Sequence, residues 1–423
     1  MKTDWIKPLI GHPGPFATVY LDATRSVEAG DKDVAGRWKA VRRTLAQQGA
    51  PAEVLDAVED AALRPLRRPG TRGRVIIADG GGVLVDKPLR TAPTVATGIW
   101  HRVPALLQAA LAADEEVTAL KVGVDRTGAD LMLFGARAWD APRTVEAPHD
   151  DVSKAPQGGT PGGSSRGGGG GAGGGGGDRG GSSAVEARAE DSFARNVEAL
   201  AREVERTATA ERPEIVLLYG DARTVGAVRS SLMRPVADLT VEVAGGARGA
   251  GAREGVFHEN LEDALDSYRE RRRELVLAEL RQGQGREQGA VTGVDDVVAV
   301  LARGQVKDLV LSEDVGYDGA LGVGSDGARG PLSGRTLWVG PDPLAIAATR
   351  DSLADAGYTD GVEELPAAIA LVRAAVGQDA GLTVAPDGAV GMIDGVGATL
   401  RWHDGATPQE VAATMSRDQD LLR

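Results

Sequence analysis

The chain of 423 residues contains no cysteine. That excludes disulfides, thiolate metal sites and a cysteine nucleophile. Aromatic residues are scarce, at 4%. No apolar run reaches the roughly 20 residues a helix needs to cross a bilayer. The start, Met1-Lys2-Thr3-Asp4-Trp5-Ile6-Lys7-Pro8, lacks the apolar stretch of a secretory signal. These absences together predict a cytoplasmic protein. The histidines His12, His101, His149, His258 and His403 show no metal-ligand spacing, and no Ser-His-Asp signature stands out. No metal and no cofactor is expected.

What is present is length, glycine and unevenly spread charge. A chain this long needs two or three cores. The net charge is −13. Residues 1–150 hold 20 basic and 19 acidic side chains, whereas residues 290–423 hold 9 and 20. The last third is repelled by phosphate backbones, and the first third can approach them.

Apolar spacing sets out the elements. Residues 16–22 read as a strand. Val34, Trp38, Val41 and Leu45 mark a helix, and Pro51 opens another with Val54, Leu55 and Val58 inward. Strands at 75–78 and 83–85 flank the turn Asp79-Gly80-Gly81-Gly82. Residues 117–125 and 129–134 form a hairpin, and a third strand runs toward Val145. Residues 158–183 are almost pure glycine and serine, which predicts a disordered linker. No Gly-Lys-Ser/Thr follows them, so they are no phosphate loop.

A helical stripe at Phe193, Val197, Leu200 and Val204 precedes strands at 214–219 and 239–243, with a short helix between. Phe257, Leu261, Leu265, Tyr268 and Leu275 mark a long helix, whose run Arg269–Glu274 reads as a solvated, ion-paired face. From Gly289 onward strand and helix alternate. Asp342 is expected to cap a helix that Gly357 ends, and Pro366 opens another ended by Gly377. The alternation predicts a layered α/β fold.

Two strings carry a resemblance. Residues 303–313, Arg-Gly-Gln-Val-Lys-Asp-Leu-Val-Leu-Ser-Glu, read as a helix end, a glycine turn and a buried strand. Residues 395–402, Gly-Val-Gly-Ala-Thr-Leu-Arg-Trp, read as a glycine turn into a closing strand. Both resemble the third domain of archaeal and eukaryotic class-I release factors and Pelota. Residues 14–22, Gly-Pro-Phe-Ala-Thr-Val-Tyr-Leu-Asp, look like the bacterial (actinobacterial) release-factor-like family, which is related to the hibernation factor Balon.

The resemblance implies three α/β domains: an N-terminal domain (1–115), an RNase-H-like central domain (116–253) interrupted by the linker, and a C-terminal domain (289–423). A long connecting helix (254–288) joins the last two. The C-terminal domain would be a ribosomal-protein-like α/β sandwich of the kink-turn-binder type. The implied partner is the ribosome, with a translational GTPase such as elongation factor Tu as a further one. DNA and membranes are not expected as partners.

Release factors hydrolyse peptidyl-tRNA with a Gly-Gly-Gln tripeptide. This chain contains none. The nearest approach is Gln157-Gly158-Gly159, which leaves Gln157 as a weak catalytic candidate because the chemistry needs exact backbone placement. The expectation is a non-enzymatic factor that occupies a tRNA-like A-site position in hibernation, stress or rescue. A peptidyl-tRNA hydrolase with a non-standard loop is the alternative.

Two acid-free stretches supply RNA-binding candidates. Residues 34–52 carry Arg37, Lys39, Arg42 and Arg43; residues 61–78 carry Arg64, Arg67, Arg68, Arg72 and Arg74. A solvated helix face and a loop explain the same charges equally well. Asp79 is read as a turn residue. The acidic last third suggests a protein partner with basic patches, or acidity for solubility alone.

Overall fold

The computed structural model describes residues 4–24, 30–65, 73–93, 95–135, 138–148, 180–248, 254–286, 288–313 and 330–408. The chain divides into two units. Residues 1–115 and 271–423 make one, and residues 116–270 make the other.

The first unit opens with β1 (Phe16–Asp22), buried along nearly its whole length. α1 (Gly30–Gln47) and α2 (Ala52–Leu63) follow, then the hairpin β2 (Gly73–Asp79) and β3 (Gly82–Leu89). β4 (Thr97–His101) completes an antiparallel sheet of order β3-β2-β1-β4. Trp38, Val41 and Leu45 of α1 and Val54, Leu55 and Val58 of α2 pack on Ala17, Val19, Leu21 and Ile76, and Val34 is buried as well. Period-3.6 spacing here meets period-2 spacing in the strands, so each element buries one face. Gly98 of β4 admits α1 closely, since a Cβ there would lie 2.5 Å from Val41.

α3 (Leu107–Glu115) sits on the other face of that sheet. Sequence reading misses it. The segment is alanine-rich and has no Ser, Thr, Asp or Asn at its start. Its first turn is satisfied from afar: the Ala109 amide donates to the Tyr20 hydroxyl at 3.2 Å, and that hydroxyl donates to the Ala105 carbonyl at 2.6 Å.

The second unit begins with the meander β5 (Ala119–Asp125), β6 (Gly128–Phe134) and β7 (Arg143–Glu146). α4 (Gly180–Glu211), β8 (Ile215–Gly220), α5 (Ala222–Ser231), α6 (Arg234–Ala237) and β9 (Thr240–Glu242) follow. The sheet order is β7-β6-β5-β8-β9, with β8 parallel to both β5 and β9. That is the 3-2-1-4-5 order an RNase-H-like sheet requires. Leu120, Val122, Leu131 and Leu133 face Val197, Leu200 and Val204 of α4 and Val225 and Val228 of α5. The predicted linker lies outside the described residues up to 179, and its last residues, 180–183, belong to α4.

α7 (Glu254–Arg286) crosses the division between units at residues 270 and 271. In the second unit Phe257, Leu261, Leu265 and Tyr268 pack on Ala119, Ile215 and Leu217. The expected stripe fails at Leu275, which is 71% exposed. Leu277 and Leu280 take the inward positions instead, against Ala290 and Val310 of the first unit.

The first unit resumes with β10 (Ala290–Thr292), α8 (Val294–Ala302) and β11 (Val306–Ser312). Next come β12 (Thr336–Val339), β13 (Ile346–Ala347), α9 (Arg350–Asp355), β14 (Glu363–Pro366), α10 (Ala367–Gly377), β15 (Gly381–Ala385) and β16 (Val396–Leu400). They form sheets of order β10-β16-β11-β15 and β13-β12-β14. The two strings singled out in the sequence are therefore neighbours. β11 and β16 pair antiparallel, with Leu309 opposite Ala398 and Leu311 opposite Val396. Gly304 (φ +68°) turns α8 into β11, and Gly395 (φ +66°) turns the chain into β16. A Cβ on Gly395 would also collide with the Ser312 hydroxyl.

The helix expected at Asp342 does not start there. The Asp342 carboxylate accepts from the Leu344 amide at 2.7 Å, an Asx turn, and the chain runs on into β13. Thr349 caps α9, accepting from the Ser352 amide. Gly357 follows its end with φ +92°.

One core joins the early and late segments of the first unit. Phe16, Tyr20, Val75, Ile77, Ala109 and Ala113 belong to it together with Val297, Leu309, Leu371 and Val396. α3 packs on α10 and β15. Ion pairs Lys7–Asp379 at 2.5 Å and Arg102–Glu363 at 2.9 Å lie across the same junction.

Candidate functional site

The nine basic candidates separate by what already holds them. Arg74 is buried, with its side chain 4% exposed. Its guanidinium grips Asp86 bidentately at 2.7 Å and donates to the carbonyls of Ala62 and Arg64. It ties α2 to the β2–β3 hairpin and cannot also face RNA. Arg42 is bound by Asp56 at 2.7 Å and Glu59 at 2.6 Å, which bridges α1 to α2. Arg37 pairs with Asp22 and donates to the Asp22 and Thr24 carbonyls. Spacing alone does not reveal these partners, because each is supplied by another element.

Lys39 and Arg43 are different. They stand one turn apart on the exposed face of α1, with no ion-pair partner among the described residues. Arg64 is exposed beyond the end of α2. Arg67, Arg68, Arg72 and Gln157 lie outside the described residues.

The glycine turn at 80–82 leads into β3 rather than a helix, so no anion-binding helix start follows it. Asp79 accepts from the Gly81 amide at 2.8 Å, as a turn residue does, and pairs with His12 at 2.8 Å. Among the described residues no cluster of three or more His, Cys, Asp or Glu is arranged to hold a metal. No helix among them is long and apolar enough to cross a membrane.

The second unit contains two arrangements that sequence reading misses. In the first, Arg248 reaches back to the β5–β6 hairpin. It meets Asp125 at 3.0 Å, the Thr127 hydroxyl at 2.8 Å, Asp130 at 3.3 Å and Glu146 at 3.7 Å. Its side chain is 11% exposed. Gly128 makes room for it, since a Cβ there would lie 2.8 Å from the guanidinium. Burial pushes the Asp125 carboxyl upward, but the Thr127 bonds and Arg248 outweigh it and hold Asp125 below the ordinary range. In the second arrangement, the Lys121 ammonium of β5 lies 4.9 Å from the ring centre of Phe134 and 5.5 Å from that of Phe257. Tyr219 packs on Phe257 at 4.6 Å.

Residues 118–286 match the model of bacterial archaeo-eukaryotic release factor family 2. That stretch of the chain is similar to a release-factor-like family. Two uncharacterized proteins of Mycobacterium tuberculosis, from strains CDC 1551 and H37Rv, are each 26% identical to this chain over 408 residues. The alignments cover 95% of this chain and 97% of theirs. Among solved structures, a model of ribosome-bound archaeal Pelota with ABCE1 has a TM-score of 0.37 at 12% identity, covering 95% of this chain and 94% of that one. The archaeal termination factor aRF1 has a TM-score of 0.20 at 14% identity, covering 94% and 96%. Archaeoglobus fulgidus Pelota has 0.32 at 10%, covering 78% and 80%. At TM-scores of this size, superposition does not fix which residues correspond.

Proposed function

We propose that this release-factor-like protein is a ribosome-associated translation factor that occupies a tRNA-like A-site position without releasing peptide. The family match over residues 118–286 carries the reading, set beside a sequence of 423 residues that has no Gly-Gly-Gln. Release chemistry depends on backbone donors placed to within a fraction of an ångström. A chain that keeps the domain without the tripeptide is suited to occupancy rather than hydrolysis. Lys39 and Arg43 would meet ribosomal RNA, and the acidic segment 290–423 would meet protein, a translational GTPase such as elongation factor Tu among the candidates. The role would fall in hibernation, stress or rescue, in the cytoplasm.

The test is co-sedimentation of the protein with ribosomes from growing and starved cells, at low and raised salt. Release of peptidyl-tRNA is measured in the same mixtures. Salt-sensitive binding without release is the expected result. Release would instead establish a hydrolase, and absence of binding in every condition would overturn the ribosomal reading.

A further inference from the structure

We propose that Lys121 is an acylation site: its amine, set on an aromatic shelf in the second unit, takes an acyl group from activated donors such as acyl phosphates. The inference stands apart from the translational reading and rests on how this amine is housed.

Lys121 occupies the middle of β5, on the sheet face that α7 partly covers. Its cross-strand neighbour is Met132, and Phe134, opposite Ala119, lies two pairs further along β6 on the same face. Phe257 of α7 closes the opposite side, steadied by Tyr219. The amine is half-buried and has no hydrogen bond or ion pair among the described residues. Phe134 remains 37% exposed, so the shelf has an open side through which a small donor can enter.

The other described lysines are housed differently. Lys7 and Lys307 are paired with Asp379 and Glu279, each at 2.5 Å. Lys39 and Lys87 are exposed to water. Water and carboxylates both favour the ammonium form, which cannot attack a carbonyl. The ring faces beneath Lys121 replace only part of the lost hydration. Burial therefore pushes the Lys121 amine below its ordinary range, and Glu262 on α7 opposes that shift through its charge.

The step balances without further reagents. The neutral amine attacks the acyl carbonyl of the donor and a C–N bond forms. The carbon–oxygen bond to phosphate breaks, phosphate leaves with the electron pair, and the extra amine proton passes to water. The product is a neutral amide, which converts the strip Phe134–Lys121–Met132 from cationic to uncharged.

The experiment exposes the full-length protein to acetyl phosphate between pH 7 and pH 10 and follows each lysine by peptide mass spectrometry. At pH 7, Lys121 is expected to acetylate at least about threefold faster than Lys39 or Lys87, because a lowered amine holds more of its free base. Its rate should also level off at a pH where theirs still rise. Phe134→Ala, a change at an exposed edge, opens the shelf to water and should bring the Lys121 rate at pH 7 down toward that of Lys39. A Lys121 rate no faster than that of Lys39 at pH 7, or a pH profile parallel to it, overturns the proposal.

Discussion

At the residue scale, the same side-chain type serves opposite ends according to what surrounds it. Arg74 is a buried cation with every contact made inside the fold. Removing it leaves Asp86 without its partner, so Arg74→Ala should cost about 3 kcal/mol in a urea titration. Lys39 and Arg43 make no such contacts. Lys39→Glu with Arg43→Glu should change stability by less than about 0.5 kcal/mol. If they touch two phosphates, a ribosome-binding measurement against salt should lose about 1.5 from its log–log slope. Asp114 gives a third case. Burial at the end of α3 raises its carboxyl above the ordinary aspartate range, with Arg272 opposing. The folded state then binds this proton more tightly than the unfolded chain, so stability falls as pH rises from the ordinary aspartate value through the raised one. Asp114→Asn should flatten that part of the urea midpoint-versus-pH curve; a curve unchanged by the substitution would disprove the assignment.

At the scale of elements, legibility followed how local the cause was. β1, α1, α2 and the β5–β6 hairpin were readable because their patterns and turns sit within a few residues. β11 and β16 were readable individually, and their pairing was not, since no local signal joins residues 90 apart in the chain. α3 was missed because Tyr20, far away in sequence, satisfies its first turn. The start of α9 was misplaced because Asp342 before Pro343 looks like a cap, while a two-residue strand intervenes before Thr349 does the capping. The candidate site was legible as charge and not as commitment: three of the basic residues are held by acids or carbonyls from other elements. The capping assignment predicts that Thr349→Ala costs about 1 kcal/mol in thermal or urea unfolding. Asp342→Ala, which removes only a turn bond, should leave the helical signal of α9 intact by amide exchange.

At the scale of the whole molecule, charge and topology divide the chain differently. Charge divides it by thirds, with the negative excess in residues 290–423. Topology joins the first and last thirds in one core and leaves residues 116–270 as a separate unit. α3 packs on α10 and β15, both from the late segment. A fragment of residues 1–115 should therefore expose apolar surface, bind a hydrophobic dye and lack a cooperative melting transition. A sharp melt of that fragment alone would show that the shared core is dispensable.

This interleaving sets an order of events during the protein's own synthesis. The 155 residues of the second unit emerge between the two halves of the first. At roughly 5–20 residues per second, the early segment waits on the order of ten to thirty seconds for its partner strands. Throughout that interval α3 lacks α10 and β15, the late elements it packs on. The second unit, contiguous in sequence, can close its own sheet before the late strands of the first unit emerge.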